Sequence, residues 1–179
     1  MHKITLRLLY SVISRFFLKL IVGVQFGPAR ALKSVPQFIV VANHNSHLDT
    51  MTLMAAMPSA IVHKVRPVAA ADHFGKRRFQ AWATRFFVNA LLIPRKRNIE
   101  DATKDPISLM LAALDAGDSL ILFPEGTRGE PEITQRFKKG VGIVLAQRPH
   151  IHYVPAFMSG LGMSLPKGDN LILPHPGKL

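Results

Sequence analysis

The sequence predicts an α/β domain whose mostly parallel or mixed central sheet is flanked by helices and preceded by an amphipathic N-terminal helix. Two observations carry this prediction. From Gln37 to Phe157, apolar runs of strand length alternate with segments of helical length, the order that a parallel sheet with crossover helices requires. Ahead of them, apolar side chains recur at three-and-four spacing, the period of one helix face.

In that first segment Leu6, Leu9, Tyr10, Ile13, Phe16, Phe17, Leu20 and Val24 mark the apolar face, while Lys3, Arg7, Ser11, Arg15 and Lys19 follow one another at i, i+4. Such a polar stripe opposite an apolar face suits a helix lying in a bilayer interface. The alternative is an ordinary helix packed on the protein's own core. A spanning helix needs about 20 largely uncharged residues, and Arg7, Arg15 and Lys19 interrupt this stretch. They also interrupt any signal-peptide core, and no small-residue cleavage site follows. Residues 1–30 are therefore expected to form a membrane-associating helix and 31–179 an α/β domain, with no low-complexity linker between them.

After Gly27-Pro28 the elements follow in turn. Gln37 to Ala42 reads as a buried strand and Ser46 to Met57 as a helix with Ser46 as its N-cap. Pro67 to Ala71 and Ala90 to Ile93 are short strands on either side of a helix around Phe79 to Phe87. Asp105-Pro106 supplies an N-cap and a first-turn proline for a helix from Ile107 to Ala116, which Gly117 stops. Ser119 to Phe123 is a strand, Lys139 to Gln147 a helix and His152 to Phe157 a strand.

Composition narrows the partners. The chain has 23 Lys and Arg against 11 Asp and Glu, a formal charge of +12, yet is 48% hydrophobic. A nucleic-acid binder needs the cations but not this much apolar surface. A peripheral membrane protein uses both. The absence of cysteine rules out thiolate nucleophiles, disulfides and Cys-ligated zinc, so any group transfer by this chain would not pass through a Cys thioester.

In parallel α/β sheets, ligands sit beyond the carboxyl ends of the strands. Two strand-to-helix loops are dense in functional groups there: Asn43 to Asp49, and Pro124 to Gly129. A continuous helix would leave residues five apart on different faces. The break after the first strand instead lets His44 fold back over the next turn and meet Asp49. A carboxylate on one ring nitrogen fixes the tautomer and leaves the other nitrogen to take a hydroxyl proton. Ser46-x-x-Asp49 also satisfies capping-box spacing, so Asp49 has a structural reading compatible with the chemical one. His44, His47 and Asp49 could form a metal cluster, but no further ligand set with recognisable spacing accompanies them. There is no G-x-S-x-G elbow for a serine nucleophile.

The second loop suits an anion, with Gly126 allowing close backbone approach, Thr127 a hydroxyl and Arg128 a planar two-point donor. Glu125 cannot attract phosphate. It is left to orient Arg128, accept from a substrate hydroxyl or pair with a nearby cation.

The blocks Asn43-His44-x-x-x-x-Asp49, Ile93-Pro94-Arg95, Phe123-Pro124-Glu125-Gly126-Thr127-Arg128 and Val154-Pro155-Ala156 occur in this order. Together they resemble the glycerolipid acyltransferases of the 1-acyl-sn-glycerol-3-phosphate (lysophosphatidic acid) acyltransferase type. Phe137-Lys138-Lys139-Gly140 is also similar to that family's pattern. The resemblance implies direct transfer from acyl-CoA or acyl carrier protein to the free hydroxyl of 1-acylglycerol 3-phosphate, with no cofactor and no metal. It implies His44 as base, Asp49 as its orienting partner, and Arg95, Glu125, Gly126, Thr127 and Arg128 as acceptor-binding residues. Pro155 would belong to the acyl-binding part. It further implies a membrane-associated protein, peripheral or monotopic, and the basic helix suits the cytoplasmic face. The second block departs from the family in having Asn89-Ala90 before its apolar run and Pro94 before its arginine. The chain also ends soon after the fourth block, as a short form or an incomplete chain would. Rival readings are an acyltransferase for another lysolipid, a non-catalytic lipid-binding protein, a metal-dependent hydrolase and a nucleic-acid binder.

Overall fold

The computed structural model describes residues 2–27, 32, 34–71, 82–166, 168–169 and 171–179. Five strands form one sheet: β1 (Phe38–Ala42), β2 (Val65–Ala70), β3 (Leu91–Ile93), β4 (Ser119–Leu122) and β5 (His152–Ala156). Each lies on an apolar run picked out in the sequence. Their order is β3-β2-β4-β1-β5 and every pairing is parallel, so the sheet is wholly parallel rather than mixed. All five carboxyl ends consequently lie along one rim of the sheet.

The sheet is covered on both faces, as parallel sheets generally are. Alternate residues divide between two cores. Phe38, Val40 and Ala42 of β1 join Ile121 of β4 in a core shared with the N-terminal helix α1 (residues 2–22) and α2 (Asp49–Ala56). Ile39 and Val41 join Leu120 and Leu122 on the opposite face, against α3 (Pro106–Asp115) and α4 (Lys139–Gln147). α3 begins as its sequence predicts: the Asp105 side chain accepts from Ser108 N–H and Pro106 opens the first turn. A short helix α5 (Leu161–Ser164) follows β5. The helix expected around Phe79 falls partly outside the described residues. Its described part, from residue 82, runs into a π-helical stretch, Thr84–Val88.

α1 alternates α-helical turns (His2–Leu8, Arg15–Phe17) with π-helical ones (Leu9–Ser14, Leu18–Val22). Four residues overshoot a full α turn by about 40° and undershoot a π turn. The mixture therefore keeps residues four apart in straight rows. Leu6, Tyr10, Ser14, Leu18 and Val22 form one buried row. Ile4, Leu8, Val12, Phe16 and Leu20 form the opposite row, each more than half exposed. The expected single apolar face is thus corrected to two, one in the core and one outward. Lys3, Arg7, Ser11, Arg15 and Lys19 run between them. Arg7 and Arg15 donate to the carbonyls of Ala60 and Ala55, which ties this basic row to the end of α2. Among the described residues no helix is long and apolar enough to cross a membrane.

Candidate active site

His44 stands just beyond β1, and Asp49 opens α2. The His44 Nδ1 lies 2.9 Å from Asp49 Oδ2. The same carboxylate oxygen accepts from the backbone N–H groups of Asn45 at 2.7 Å and Ser46 at 2.8 Å. Asp49 is 1% exposed, so its charge is held by a ring and two amides rather than by water. One side chain thus meets the imidazole and also accepts from Ser46 N–H, the reciprocal bond of the capping-box spacing. The N-cap differs from the expected one. The helix begins three residues after Ser46, whose hydroxyl accepts from Leu48 N–H and donates to Leu165 O.

The imidazole is fixed from three sides. Its ring stacks on Phe123 with centroids 4.0 Å apart and planes 18° from parallel. Its own backbone is gripped by the neighbouring loop: His44 N–H donates to Glu125 Oε1 at 3.1 Å, and Gly129 N–H donates to His44 O at 2.8 Å. This cross-bracing follows from topology, since β1 and β4 are adjacent parallel strands whose ends release both loops side by side.

Glu125 is 2% exposed, and its second oxygen accepts from Gln135 N–H at 3.3 Å. It braces loops from below, a role that the sequence reading did not include. Gly126 adopts φ +70°, the left-handed region that favours glycine, and its N–H closes a turn onto Phe123 O. A β-carbon there would lie 2.6 Å from Lys138 Nζ, so the ammonium rests against the bare backbone. Lys138 is thereby a cation of the site that the residue-by-residue reading passed over, although its Phe-Lys-Lys-Gly block was in view. It also precedes α4, whose first turn has no side-chain cap. Thr127 is exposed beside it.

Arg128 reaches across to the His47 ring, with Nη1 2.6 Å from Nε2 and in contact with Nδ1. Burial pulls its pKa below the ordinary guanidinium value, while the nearby Asp49 charge opposes that shift. His47 thus turns to Arg128 instead of completing a cluster with His44 and Asp49. Among the described residues no group of three or more His, Asp or Glu side chains is arranged to hold a metal ion.

The other named residues lie farther out. Arg95 is exposed in the loop after β3, three strand spacings from β1, or about 14 Å across the rim. Pro155 sits in edge strand β5, where the lack of an N–H is tolerated, and borders an apolar cavity of about 220 Å³. Asn43, quoted in the first block but given no role, joins the two regions: it donates to Met158 O and accepts from Met158 N–H, both at 2.7 Å.

A carboxylate-held histidine beside a glycine turn and two cations, at the rim of a parallel α/β sheet, is an arrangement suited to proton transfer next to an anionic group. The chain belongs to the acyltransferase family, whose model matches residues 24–159. It is 28% identical over 137 residues to the chloroplastic 1-acyl-sn-glycerol-3-phosphate acyltransferase LPAT1 of Arabidopsis thaliana. The same holds for the chloroplastic 1-acyl-sn-glycerol-3-phosphate acyltransferase BAT2 of Brassica napus. These matches cover 76% of this chain but 36% and 37% of the plant proteins, so the chain spans little more than a third of their length. Its fold is similar to the crystal structure of the 1-acyl-sn-glycerophosphate (LPA) acyltransferase PlsC from Thermotoga maritima. The TM-score is 0.73 at 23% identity, over 99% of this chain and 68% of that one.

Proposed function

We propose that the protein moves a fatty acyl group from acyl-CoA or acyl carrier protein to the free hydroxyl of 1-acylglycerol 3-phosphate, giving phosphatidic acid. The observation that carries this is the His44–Asp49 contact at 2.9 Å beside the Gly126–Arg128 turn. With Nδ1 held by the carboxylate, Nε2 takes the hydroxyl proton as the oxygen attacks the thioester carbonyl. The C–S bond then breaks, the imidazolium returns the proton to the leaving thiolate, and ester and thiol are released. Asp49 stabilises the imidazolium in between. Arg128, Lys138 and the first turn of α4 supply positive potential for the acceptor phosphate, with Arg95 a further cation on the same rim.

The protein works on a membrane surface, on the cytoplasmic face, as a peripheral or monotopic protein. The row Ile4, Leu8, Val12, Phe16 and Leu20 supports this, because a contiguous outward apolar row marks an interaction site, and Lys3 and Lys19 flank it for anionic headgroups.

The test is thiol release from oleoyl-CoA with and without lysophosphatidic acid. Release that requires the acceptor, falls by about 10² to 10⁴ in His44→Ala and falls strongly in Asp49→Asn supports the mechanism. Equal release without acceptor points to thioester hydrolysis and overturns it.

A further inference from the structure

Two apolar cavities border α2. The first, about 220 Å³, is lined by Val40, Leu53, Met57, Pro155 and Phe157 among others, with no charged side chain among the described residues of its wall. The second, about 230 Å³, lies between α2 and α1. Leu9, Tyr10, Met51, Phe87 and Val88 form its walls, and it reaches His47, the residue whose ring meets the Arg128 guanidinium. Its described wall is therefore mostly apolar, with Ser14 and Thr50 among its residues, and at one end it reaches the ring that a guanidinium contacts.

We propose that this second cavity receives the acyl chain that the acceptor already carries, with Arg128 and His47 meeting the acceptor's phosphate. The identity of the lipid rests on the function argued above. A lysophosphatidic acid has its charge and its hydrocarbon a few bonds apart, so its site must set an apolar channel directly against a cation. A long-chain thioester carries its charges far from the chain, and its hydrocarbon needs no cation beside it. Of the two cavities only the second is lined by a residue, His47, that contacts Arg128. Its walls are tied together: the Tyr10 hydroxyl donates to Phe87 O at 3.0 Å, and His2 Nε2 bonds Phe86 O at 2.9 Å, so α1 is fixed against the 84–88 stretch. Phe87, partly exposed in the wall, makes an edge contact with the exposed Trp82, which stacks on Phe86. Aromatic rings of this kind favour the headgroup level of a bilayer, where a lipid acceptor would enter.

Met51→Trp and Leu9→Trp fill the channel from its two walls. Kinetics with oleoyl and hexanoyl lysophosphatidic acid are to be combined with calorimetric binding of the oleoyl form to each substitution in a His44→Ala background. Both substitutions should raise KM for the oleoyl acceptor about tenfold, because each methylene denied contact weakens binding several-fold. KM for the hexanoyl acceptor should move far less, and oleoyl binding should weaken in parallel with KM. Equal effects on the two acceptors, or unchanged oleoyl binding, would overturn the proposal. If the parent protein bound oleoyl lysophosphatidic acid but transferred nothing to it, the functional reading would fail while the binding arm still decided the cavity.

Discussion

The loop after β1 and the loop after β3 both end on the same rim, yet they are held in different ways. In the first, His44 has its ring, its N–H and its carbonyl each bonded to a neighbour, and Asn45 Nδ2 donates on to the carbonyls of Glu130 and Ile133. In the second, Arg95 to Arg97 are exposed, and the anchor is at the end of that run: Arg97 Nε and Asn98 N–H both donate to Asp105 Oδ1 at the start of α3. The difference matches the tasks proposed for them. A base must be within a fraction of an ångström of the proton it takes. A long arginine that meets a phosphate at the rim needs no such precision. Damage to the first loop should therefore appear in kcat, and damage to the second in acceptor KM.

Among the bracing residues, removal of Glu125 is expected to have the largest effect. In Glu125→Ala the partly buried N–H groups of His44 and Gln135 lose their acceptor, and a displacement of about 1 Å at the base can cost about 10² in rate. We expect kcat to fall by about that factor with a smaller change in KM, and Glu125→Gln, which keeps one acceptor oxygen, to recover part of it. A loss confined to KM would instead place Glu125 on the acceptor and break the contrast between the loops.

Asn43→Ala comes next. It strands Met158 N–H and O at the end of β5, and an unpaired buried donor or acceptor costs about 1–3 kcal/mol. Urea unfolding should show a stability loss of at least about 2 kcal/mol, with activity retained in the fraction that stays folded. A loss well below 1 kcal/mol would mean that water replaces the asparagine.

The bracing that separates these loops was the part least legible in the sequence. The strands could be read because each is a short apolar run bounded by polar residues, and α4 was bounded at Lys139 and Gln147 as found. The His44–Asp49 contact was also legible, because it is local in the chain and needs only a strand-to-helix break. Glu125, however, acts on His44 across 81 positions and Asn43 on Met158 across 115. Periodicity carries no information about such pairs, and a glutamate in a polar loop looks solvated until β4 is laid beside β1. The outward row on α1 was hidden for another reason: its straight i, i+4 order depends on π-helical turns, whereas a helix wheel assumes 3.6 residues per turn.

The smallest expected effect sharpens the comparison from the side of the β3 loop. Burial of Asp105 would raise its pKa. The bonds from the Ser108 backbone, the Arg97 guanidinium, the Ser108 hydroxyl and the Asn98 backbone outweigh that and hold the carboxyl at about 2, below its ordinary value of 3.8. A carboxylate depressed on folding adds stability that is fully present above the unfolded pKa and is lost as pH falls through the folded one. The Asp105 contribution should therefore be intact at neutral pH and disappear between about pH 4 and pH 2. Asp105→Asn should lower the melting temperature at pH 7 and leave it nearly unchanged near pH 2. In activity, Asp105→Asn frees Arg97 and Asn98 and with them the segment bearing Arg95. An exposed charge contact is worth up to about 1 kcal/mol, or about fivefold. Acceptor KM should thus rise by no more than about fivefold while kcat stays within about twofold. A fall in kcat comparable to that of Glu125→Ala would mean that the β3 loop is as tightly coupled to His44 as the β4 loop is.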